Sequence, residues 1–481
     1  MPPASAVRFA TTVLNPITRI HAYLLESVSW PPLFDVRHAP NFSYAVHAVL
    51  GLRAERRGRL PRAERHYRRA LEAIDRERRS RKVFLTRREM QFRLESVRNR
   101  LGVSEVSDPL FEIDSRRPAG AKANGLRVQT KSYGVQLSGL VTDEAVESVE
   151  LLVNGEPVRS TRLDTESRSS APPTANGSAR PRRFRFQLRR PVLARLPEES
   201  TVAVRAGTNA EQSKRELWVS GGDGSLFDLL RAGGGVDKKG YLTVPEEAVR
   251  RRQEALLALY AEAREAFRDV TGRELFLMYG TLLGYVREGD FIPGDDDFDV
   301  GYLSAARTPR EVRQESIEIM ASLARAGFYI NLNTMGRPFR LRRSTDAAEE
   351  HLDVHAVWHE RGFIWAQIAA CLSLGPESFV PCGEGELRGR KVAVPADAKA
   401  FLHAYYGPGW CVPDPGYTST GKASRRVRRY LDRTCLNAGE AHDLREAIEQ
   451  ERRSDPSVGA IVTNGTHDLY PLDEYERSCG W

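Results

Sequence analysis

Three aspartates, Asp295, Asp297 and Asp299, stand at alternate positions in an acidic segment of the chain. Apolar residues such as Phe298 and Val300 are interleaved with them, a pattern that predicts a β-strand. On a strand, residues two apart share a face about 6.6 Å apart, where carboxylates repel one another unless a cation lies among them. Mg²⁺ and Mn²⁺ prefer such oxygen ligands, and Mg²⁺ is usually shared with a substrate phosphate. The segment therefore predicts a metal site for phosphoryl transfer.

A small-residue turn precedes the acidic segment. A short buried strand (ELFLM) is predicted first, followed by Gly280-Thr281, an apolar LLG turn and Arg287. Small residues allow phosphate oxygens to approach backbone N–H groups, and an arginine can pair with a phosphate through two hydrogen bonds. Gly280, Thr281 and Arg287 are therefore candidate phosphate ligands. The alternative for Arg287 is a surface ion pair with Glu288 or Asp290.

The order of these elements is similar to that of the nucleotidyltransferase superfamily, in which a small-residue turn precedes aspartates on a strand. The strings GTLLGYVR and IPGDDDFD resemble one branch, the LicD family, which includes fukutin and fukutin-related protein. The usual family pattern has Trp between Pro and the acidic run, where this chain has Gly294. The resemblance extends over residues 245–425.

Two more segments match the family in the same order. Asp353 lies in the strand-like run HLDVHAVW, after the basic strand RPFRLRR, and matches the carboxylate that the superfamily takes from a neighbouring strand. Family members often have an aromatic residue where His355 stands here, so the resemblance implies no role for His355. Residues 387–410 (LRGRKVAVPADAKAFLHAYYGPGW) are similar to the closing element of the family, a hairpin followed by a helix.

The resemblance implies a metal-dependent phosphotransferase with a nucleotidyltransferase-like α/β catalytic domain. Its donor would be a CDP-activated alcohol such as CDP-choline, CDP-ribitol or CDP-glycerol. Its acceptor would be a sugar of a cell-surface polysaccharide or of the lipid-linked precursor of that polysaccharide. The cofactor would be one or two Mg²⁺ or Mn²⁺ ions.

The resemblance also implies a role for each candidate residue. Asp297 and Asp299 would hold the metal, with Asp295 in support. Asp353 would help to bind the metal and would take the proton of the acceptor hydroxyl. The residues that would hold the donor diphosphate are Gly280, Thr281 and Arg287. The implied catalytic residues are therefore Asp297, Asp299 and Asp353.

Basic residues are concentrated in one part of the chain. Residues 51–100 hold 17 Arg and one Lys against seven Asp or Glu, a net charge of +11, whereas the whole chain carries +8. Such a block can bind an anionic membrane surface or nucleic acid, and the phosphotransferase hypothesis favours the membrane. Within it, RLPRAERHYRRALEAI predicts one tetratricopeptide-type hairpin, and the alternative is a plain helical pair with a solvated arginine face.

Two other functions remain open. The first is a nucleotidyltransferase that acts on RNA or a small molecule, with the basic helices as the nucleic-acid footprint. The LLG-Arg extension after Gly280-Thr281 argues against it. The second is a catalytically dead scaffold, against which the intact carboxylates argue.

Composition indicates a globular protein, and cysteine usage indicates a reducing cellular compartment. With 481 residues, 41% hydrophobic and 28% charged, the chain predicts two or three globular domains. The five cysteines are odd in number and form no CxxC pair, which favours free thiols in a reducing compartment. No signal-peptide pattern and no run of 18 apolar residues is found. We therefore expect a cytoplasmic protein, either free in the cytosol or peripheral at the inner face of the cell membrane.

The predicted organisation is a multidomain α/β protein. A basic helical region (1–110) precedes a small β-sandwich of immunoglobulin-like type (120–220), in which Asn154-Gly155 is a hairpin turn and 165–183 a flexible loop. The catalytic domain (240–430) opens with a long helix from Glu246 to Arg268. A C-terminal helix and tail (431–481) complete the chain.

Overall fold

The computed structural model shows a mixed α/β protein. The residues that it describes are 43–462 apart from 77–82, 107, 112, 117–125, 142–144, 164–181, 207–212, 238–239, 244, 296, 333–335, 344–349, 368 and 414–422. The chain divides into two compact units. The first runs to Ser104 and includes Asn437–Glu440, and the second contains the rest. Residues 165–181 of the loop predicted at 165–183 and the tail at 463–481 lie outside the described residues. Arg182 and Arg183, the last two residues of the predicted loop, belong to a strand instead.

The first unit is built from helices α1 (Ser43–Arg56), α2 (Leu60–Asp75) and α3 (Val83–Arg100). Helix α2 buries one apolar stripe, formed by Ala63, Tyr67, Ala70 and Ile74. The segment RLPRAERHYRRALEAI forms this single helix, so the prediction of a hairpin within it is wrong. The chain breaks earlier, at Gly58, whose φ of +66° suits glycine, and the helical pair is α1 with α2.

The second unit begins with antiparallel strands. Strands β1, β8, β7, β4 and β5 form one sheet in that order, and β2, β3 and β6 form another. The hairpin predicted at Asn154-Gly155 is confirmed, since both residues have positive φ and join β4 to β5. The elements are β1 (Asp114–Arg116), β2 (Arg127–Lys131), β3 (Gly134–Val141), β4 (Ser148–Val153), β5 (Glu156–Arg162), β6 (Arg182–Arg189), α4 (Arg190–Leu193), β7 (Pro197–Ala206), β8 (Ser213–Asp223) and α5 (Leu226–Arg231).

A third, mixed sheet carries the residues with candidate chemistry. Its strand order is β16, β17, β9, β10, β13, β12, β11, β18, and β14 and β15 extend it from β13. The elements are α6 (Glu246–Thr271), β9 (Phe276–Leu277), α7 (Tyr279–Glu288), β10 (Asp299–Leu303), α8 (Pro309–Arg325), β11 (Tyr329–Asn331), β12 (Phe339–Arg342), β13 (Leu352–Glu360), β14 (Phe363–Ala366), β15 (Ala370–Leu372), β16 (Gly383–Leu387), β17 (Arg390–Val394), α9 (Ala398–Tyr406), α10 (Arg425–Leu431), α11 (Ala438–Ser454) and β18 (Ile461–Val462).

Helix α6 supports the central strands of this sheet. Tyr260 of α6 is fully buried and stacks on Phe298, with ring centroids 5.4 Å apart. Its hydroxyl donates to the Leu275 carbonyl at 2.8 Å and accepts from the Ala393 N–H at 2.9 Å. Burying an aromatic side chain of this size contributes roughly 1.5–3 kcal/mol. The long helix predicted from Glu246 therefore fixes the segment that leads into β10.

The acidic segment differs from the prediction in one respect. Strand β10 begins only at Asp299, and Asp295 and Asp297 precede it outside the strand. The reason is the turn at Pro293 and Gly294, where Gly294 adopts a φ of +75° that breaks the extended chain. The expectation of three carboxylates on one strand face is therefore wrong for Asp295 and Asp297.

The predicted LLG turn is also wrong, because these residues lie inside helix α7. Leu282, Leu283 and Gly284 are all buried there. A Cβ at Gly284 would lie 2.7 Å from the Asp290 carbonyl oxygen. The glycine therefore allows close packing of the helix against the following segment and does not form a turn.

Two further properties concern the described part of the chain. None of its helices has the length and apolar character needed to cross a membrane. Cys371, Cys382, Cys411 and Cys435 form no disulfide with one another, and Cys479 lies outside the described residues.

Candidate active site

Two carboxylates lie side by side on neighbouring strands at the centre of the mixed sheet. Strands β10 and β13 run parallel, and their register pairs Asp299 with Asp353. The Asp353 N–H donates to the Phe298 carbonyl at 2.9 Å, which fixes this register just before β10 begins. Neighbouring strands lie about 4.8 Å apart, and side chains of paired residues point to the same face. Two residues that are 54 positions apart in sequence thus form one acidic pair.

The first turn of α7 lies beside this pair. Gly280 and Thr281 belong to that turn, directly after the extended N-cap residue Met278. A Cβ at Gly280 would lie 3.2 Å from Asp295 Oδ2 and 3.7 Å from Asp299 Oδ2. Because glycine has no side chain, these oxygens can lie close to the helix backbone. The first N–H groups of a helix have no partner within it and favour anions.

Thr281 connects this helix to the acidic strand. Its side chain is buried, and its Oγ1 accepts a hydrogen bond from the Asp299 N–H at 2.8 Å. The Met278 N–H donates to the Asp299 carbonyl at 3.0 Å. Both backbone groups of Asp299 are therefore held by the segment that leads into α7. The threonine hydroxyl positions Asp299 in addition to any contact with phosphate.

The acidic loop before β10 is anchored by a residue that the sequence analysis missed. Gln253 of α6 is 3% exposed, and its Nε2 donates to the Asp295 carbonyl at 2.7 Å. Asp297 lies close enough for its charge to raise the pKa of Asp299. Asp296 lies outside the described residues. The loop thus brings Asp295 and Asp297 to the same region as the strand pair.

Each member of the strand pair has a nitrogen partner. Arg340 of β12 donates from Nε to Asp353 Oδ1 at 3.0 Å, and His355 Nε2 lies 3.0 Å from Asp299 Oδ1. Burial raises the pKa of Asp299; His355 lowers it in part, and the nearby Asp353 and Asp297 charges add to the rise. Burial also acts to raise the pKa of Asp353, but Arg340, His351 and His355 outweigh it, so that pKa lies below its usual range.

His351 lies at the edge of the same cluster. Burial lowers its pKa to about 4, and the charge of Arg340 acts in the same direction against the opposing effect of Asp353 and Asp297. The imidazole is therefore neutral near pH 7. It adds no positive charge that would compete with a cation for the carboxylates.

Arg287 lies in the last turn of α7, about two helical turns after Gly280. Its Nε donates to Glu288 Oε1 at 2.6 Å, and its Nη1 lies 3.5 Å from the Trp410 carbonyl oxygen. The ion pair with Glu288 that the sequence left open is thus present. The other possible partner, Asp290, is engaged by Arg388 at 2.7 Å. Among the described residues, Arg287 makes no hydrogen bond or ion pair with any of the predicted carboxylates.

Comparison with known families identifies this part of the chain. Residues 272–397 match the profile described as LicD/FKTN/FKRP, nucleotidyltransferase domain. These residues are therefore similar to a LicD-family nucleotidyltransferase domain. All seven predicted site residues lie inside the match. None of the curated proteins matches the chain.

LicD-family enzymes are generally transferases and typically depend on a divalent metal. In the described residues, no group of three or more His, Cys, Asp or Glu side chains is already arranged to hold an ion. The donor set still fits such an ion, because carboxylate oxygens suit Mg²⁺ and Mn²⁺. The Oδ2 atoms of Asp295 and Asp299 also lie near the same glycine, Gly280. Residues that would hold the ion are Asp295, Asp297, Asp299 and Asp353.

Three residues of the site were missed by sequence reasoning. For His355 a signal existed, because it follows Asp353 by two positions and therefore shares its strand face. Arg340 lies in a predicted basic strand, but pairing of that strand with β13 was not predictable from its residues. For Gln253 no local signal exists, since its contact with Asp295 spans 42 positions of sequence.

Proposed function

We propose that this protein is a metal-dependent phosphotransferase that moves a phospho-alcohol from a CDP-activated donor to a sugar of a cell-surface polysaccharide or its lipid-linked precursor. The observation that carries the proposal is the convergence of Asp295 and Asp299 oxygens on Gly280, next to the paired Asp353. A helix N-terminus and a carboxylate set at one point suit a diphosphate together with a divalent cation. The LicD-family match supports the same reaction class.

In this proposal, one set of residues binds the donor diphosphate and another holds the cation. The N–H groups of Gly280 and Thr281, in the first turn of α7, would bind the donor diphosphate, and the absence of a side chain at Gly280 would let the phosphate approach. Asp295, Asp297, Asp299 and Asp353 would hold Mg²⁺ or Mn²⁺. When bound, the cation would supply neutralisation of the charge that builds on the leaving nucleoside monophosphate.

Asp353 has two implied roles, and its surroundings favour one of them. Arg340 keeps the carboxylate ionised, which suits cation binding. The same lowered pKa makes Asp353 a weak proton acceptor near pH 7. We therefore assign it mainly to metal binding. Removal of the acceptor proton by Asp353 is the secondary role.

The proposal of a membrane contact is based on the basic helices of the first unit. On α2, Arg62, Arg65 and Arg69 recur at helical spacing and are exposed. Burial, then His47, then these arginines lower the pKa of His66, as expected beside concentrated positive charge. We propose that this basic face contacts an anionic membrane surface from the cytoplasmic side. Sedimentation with anionic vesicles should fall as salt rises, and equal binding to neutral vesicles would contradict it.

The decisive experiment is a donor screen by mass spectrometry. The protein is offered CDP-choline, CDP-ribitol, CDP-glycerol, CTP and ATP with Mg²⁺ or Mn²⁺, with and without an oligosaccharide acceptor. We expect metal-dependent CMP release from one CDP-alcohol, lost in Asp297→Ala and Asp299→Asn. Asp269→Asn, an exposed carboxylate of α6, is the matched control and should keep full activity.

The other outcomes separate the rival functions. Pyrophosphate release from CTP or ATP would indicate a nucleotidyltransferase that acts on RNA or a small molecule. No turnover together with no metal binding would favour a scaffold. Full activity in folded Asp297→Ala and Asp299→Asn proteins would refute the assigned site.

A further inference from the structure

His355 is a buried histidine that lies within the carboxylate cluster, next to Asp299. Its side chain is fully buried, and its Nε2 lies 3.0 Å from Asp299 Oδ1. Because a carboxylate oxygen can only accept when ionised, Nε2 carries the hydrogen and donates. The other ring nitrogen, Nδ1, has no hydrogen-bond partner among the residues that the structure describes. The imidazole therefore makes one polar contact there, and that contact is with Asp299.

The ring of His355 is held in place by its neighbours. Tyr279 packs edge-on against it, with centroids 4.9 Å apart and an interplanar angle of 80°. The Tyr279 hydroxyl donates to the Gln367 carbonyl. The Gln367 side chain in turn accepts from the Ala356 N–H at 3.1 Å and donates to Thr434 Oγ1 at 3.0 Å. A buried ring with such packing has little freedom to leave Asp299.

The contact with His355 decides which way the Asp299 carboxylate faces. One oxygen, Oδ1, is bound by His355, and the other, Oδ2, lies 3.7 Å from the position of a Cβ at Gly280. Asp295 Oδ2 lies 3.2 Å from that same position. If Asp299 rotated about its terminal torsion, Oδ2 would turn away from this point.

We propose that His355 is a positioning residue, which holds Asp299 so that Oδ2 faces Gly280 and Asp295. This inference rests on the proposed function, because it assigns that point to a divalent cation. It also gives a role to a residue that the family resemblance left without one. Groups that orient metal ligands typically change metal affinity by about 10–100-fold when they are removed.

The test measures binding of Mn²⁺ alone, from the electron paramagnetic resonance signal of the free ion. His355→Phe removes the donor and keeps an aromatic ring. His355→Gln can place an amide N–H near the position of Nε2, and His355→Asn is too short to do so. His359→Phe, on the same strand beyond the site, is the matched control. Thermal unfolding confirms that each variant is folded.

We expect His355→Phe and His355→Asn to bind Mn²⁺ about 10–100-fold more weakly than the parent protein. His355→Gln should stay within about threefold of it, since the donor is restored. His359→Phe should be unchanged. If His355→Phe does not fold, the comparison of Gln with Asn decides, and equal affinities of these two would overturn the proposal.

Asp299→Asn separates this proposal from the proposed function. Weak Mn²⁺ binding in Asp299→Asn together with parent-like binding in every His355 variant would overturn the positioning role and leave the metal site intact. Parent-like binding in Asp299→Asn itself would refute the metal site, and the positioning role with it.

Discussion

Asp299 and Asp353 are paired in register on parallel strands, yet their oxygens are held by different partners, His355 and Arg340. The consequence is an asymmetric pair. The pKa of Asp299 is raised, chiefly by burial, whereas Arg340 brings the pKa of Asp353 below its usual range. Two adjacent carboxylates of this kind are stable together only if positive charge is near. Arg340 supplies part of that charge, and a divalent cation would supply the remainder.

Arg340 should therefore contribute most to the stability of the fold when no metal is bound. Arg340→Met leaves Asp353 without its cation, and we expect a loss of about 1.5–3 kcal/mol in the free energy of unfolding. Saturating Mg²⁺ should recover part of this loss, because the ion replaces the missing positive charge. Denaturant unfolding with and without Mg²⁺ measures both quantities.

The control for this prediction is a neighbouring arginine. Arg343 pairs with Glu262 at 2.7 Å, but both side chains are about half exposed. Arg343→Met should cost about 1 kcal/mol or less and should not respond to Mg²⁺. Equal losses in the two variants, or the same Mg²⁺ response, would contradict the role assigned to Arg340.

Thr281 should act through its hydroxyl. In Thr281→Val the Asp299 N–H loses its acceptor inside the protein, and we expect the free energy of unfolding to fall by about 1–3 kcal/mol. Thr281→Ser keeps the oxygen and should lose less. Chemical denaturation of the two variants measures the difference. A valine variant as stable as the serine variant would show that the 2.8 Å contact contributes nothing.

Gly294 should resist replacement by the residue that is usual in the family. A Cβ at this position has nothing within 4 Å, so space is available, but the φ of +75° is unfavourable for a residue with a side chain. Gly294→Trp should therefore lower the free energy of unfolding by about 1–2 kcal/mol. Gly294→Asn is the control, since asparagine tolerates this conformation better. A Trp variant that matches the Asn variant in stability would contradict this explanation.

The sequence located the acidic segment better than it predicted the geometry of that segment. Residue types alone indicated a carboxylate–metal–phosphate site, and the alternation of Asp and apolar residues located β10 to within a few residues. The true start of the strand depends on the φ of Gly294, which periodicity does not report. The packing role of Gly284 likewise depends on a contact with residues after the helix. Asp353 was found through family resemblance, because its pairing with Asp299 depends on a crossover through α8, β11 and β12 that no local pattern encodes.

At Gly280, the addition of a single methyl group should strongly weaken the binding of metal and donor. In Gly280→Ala the new methyl group would meet Asp295 Oδ2 at 3.2 Å, so the carboxylate must shift, and the methyl would also occupy the approach to the helix N–H groups. The fold should be unaffected, because alanine favours a helix more than glycine does. We expect Mn²⁺ and donor binding to weaken by about 10–100-fold. Gly409→Ala, where a Cβ meets nothing within 4 Å, is the matched control and should bind normally. Titration calorimetry on both variants decides the matter, and unchanged binding in a folded Gly280→Ala protein would show that ligands do not approach this turn.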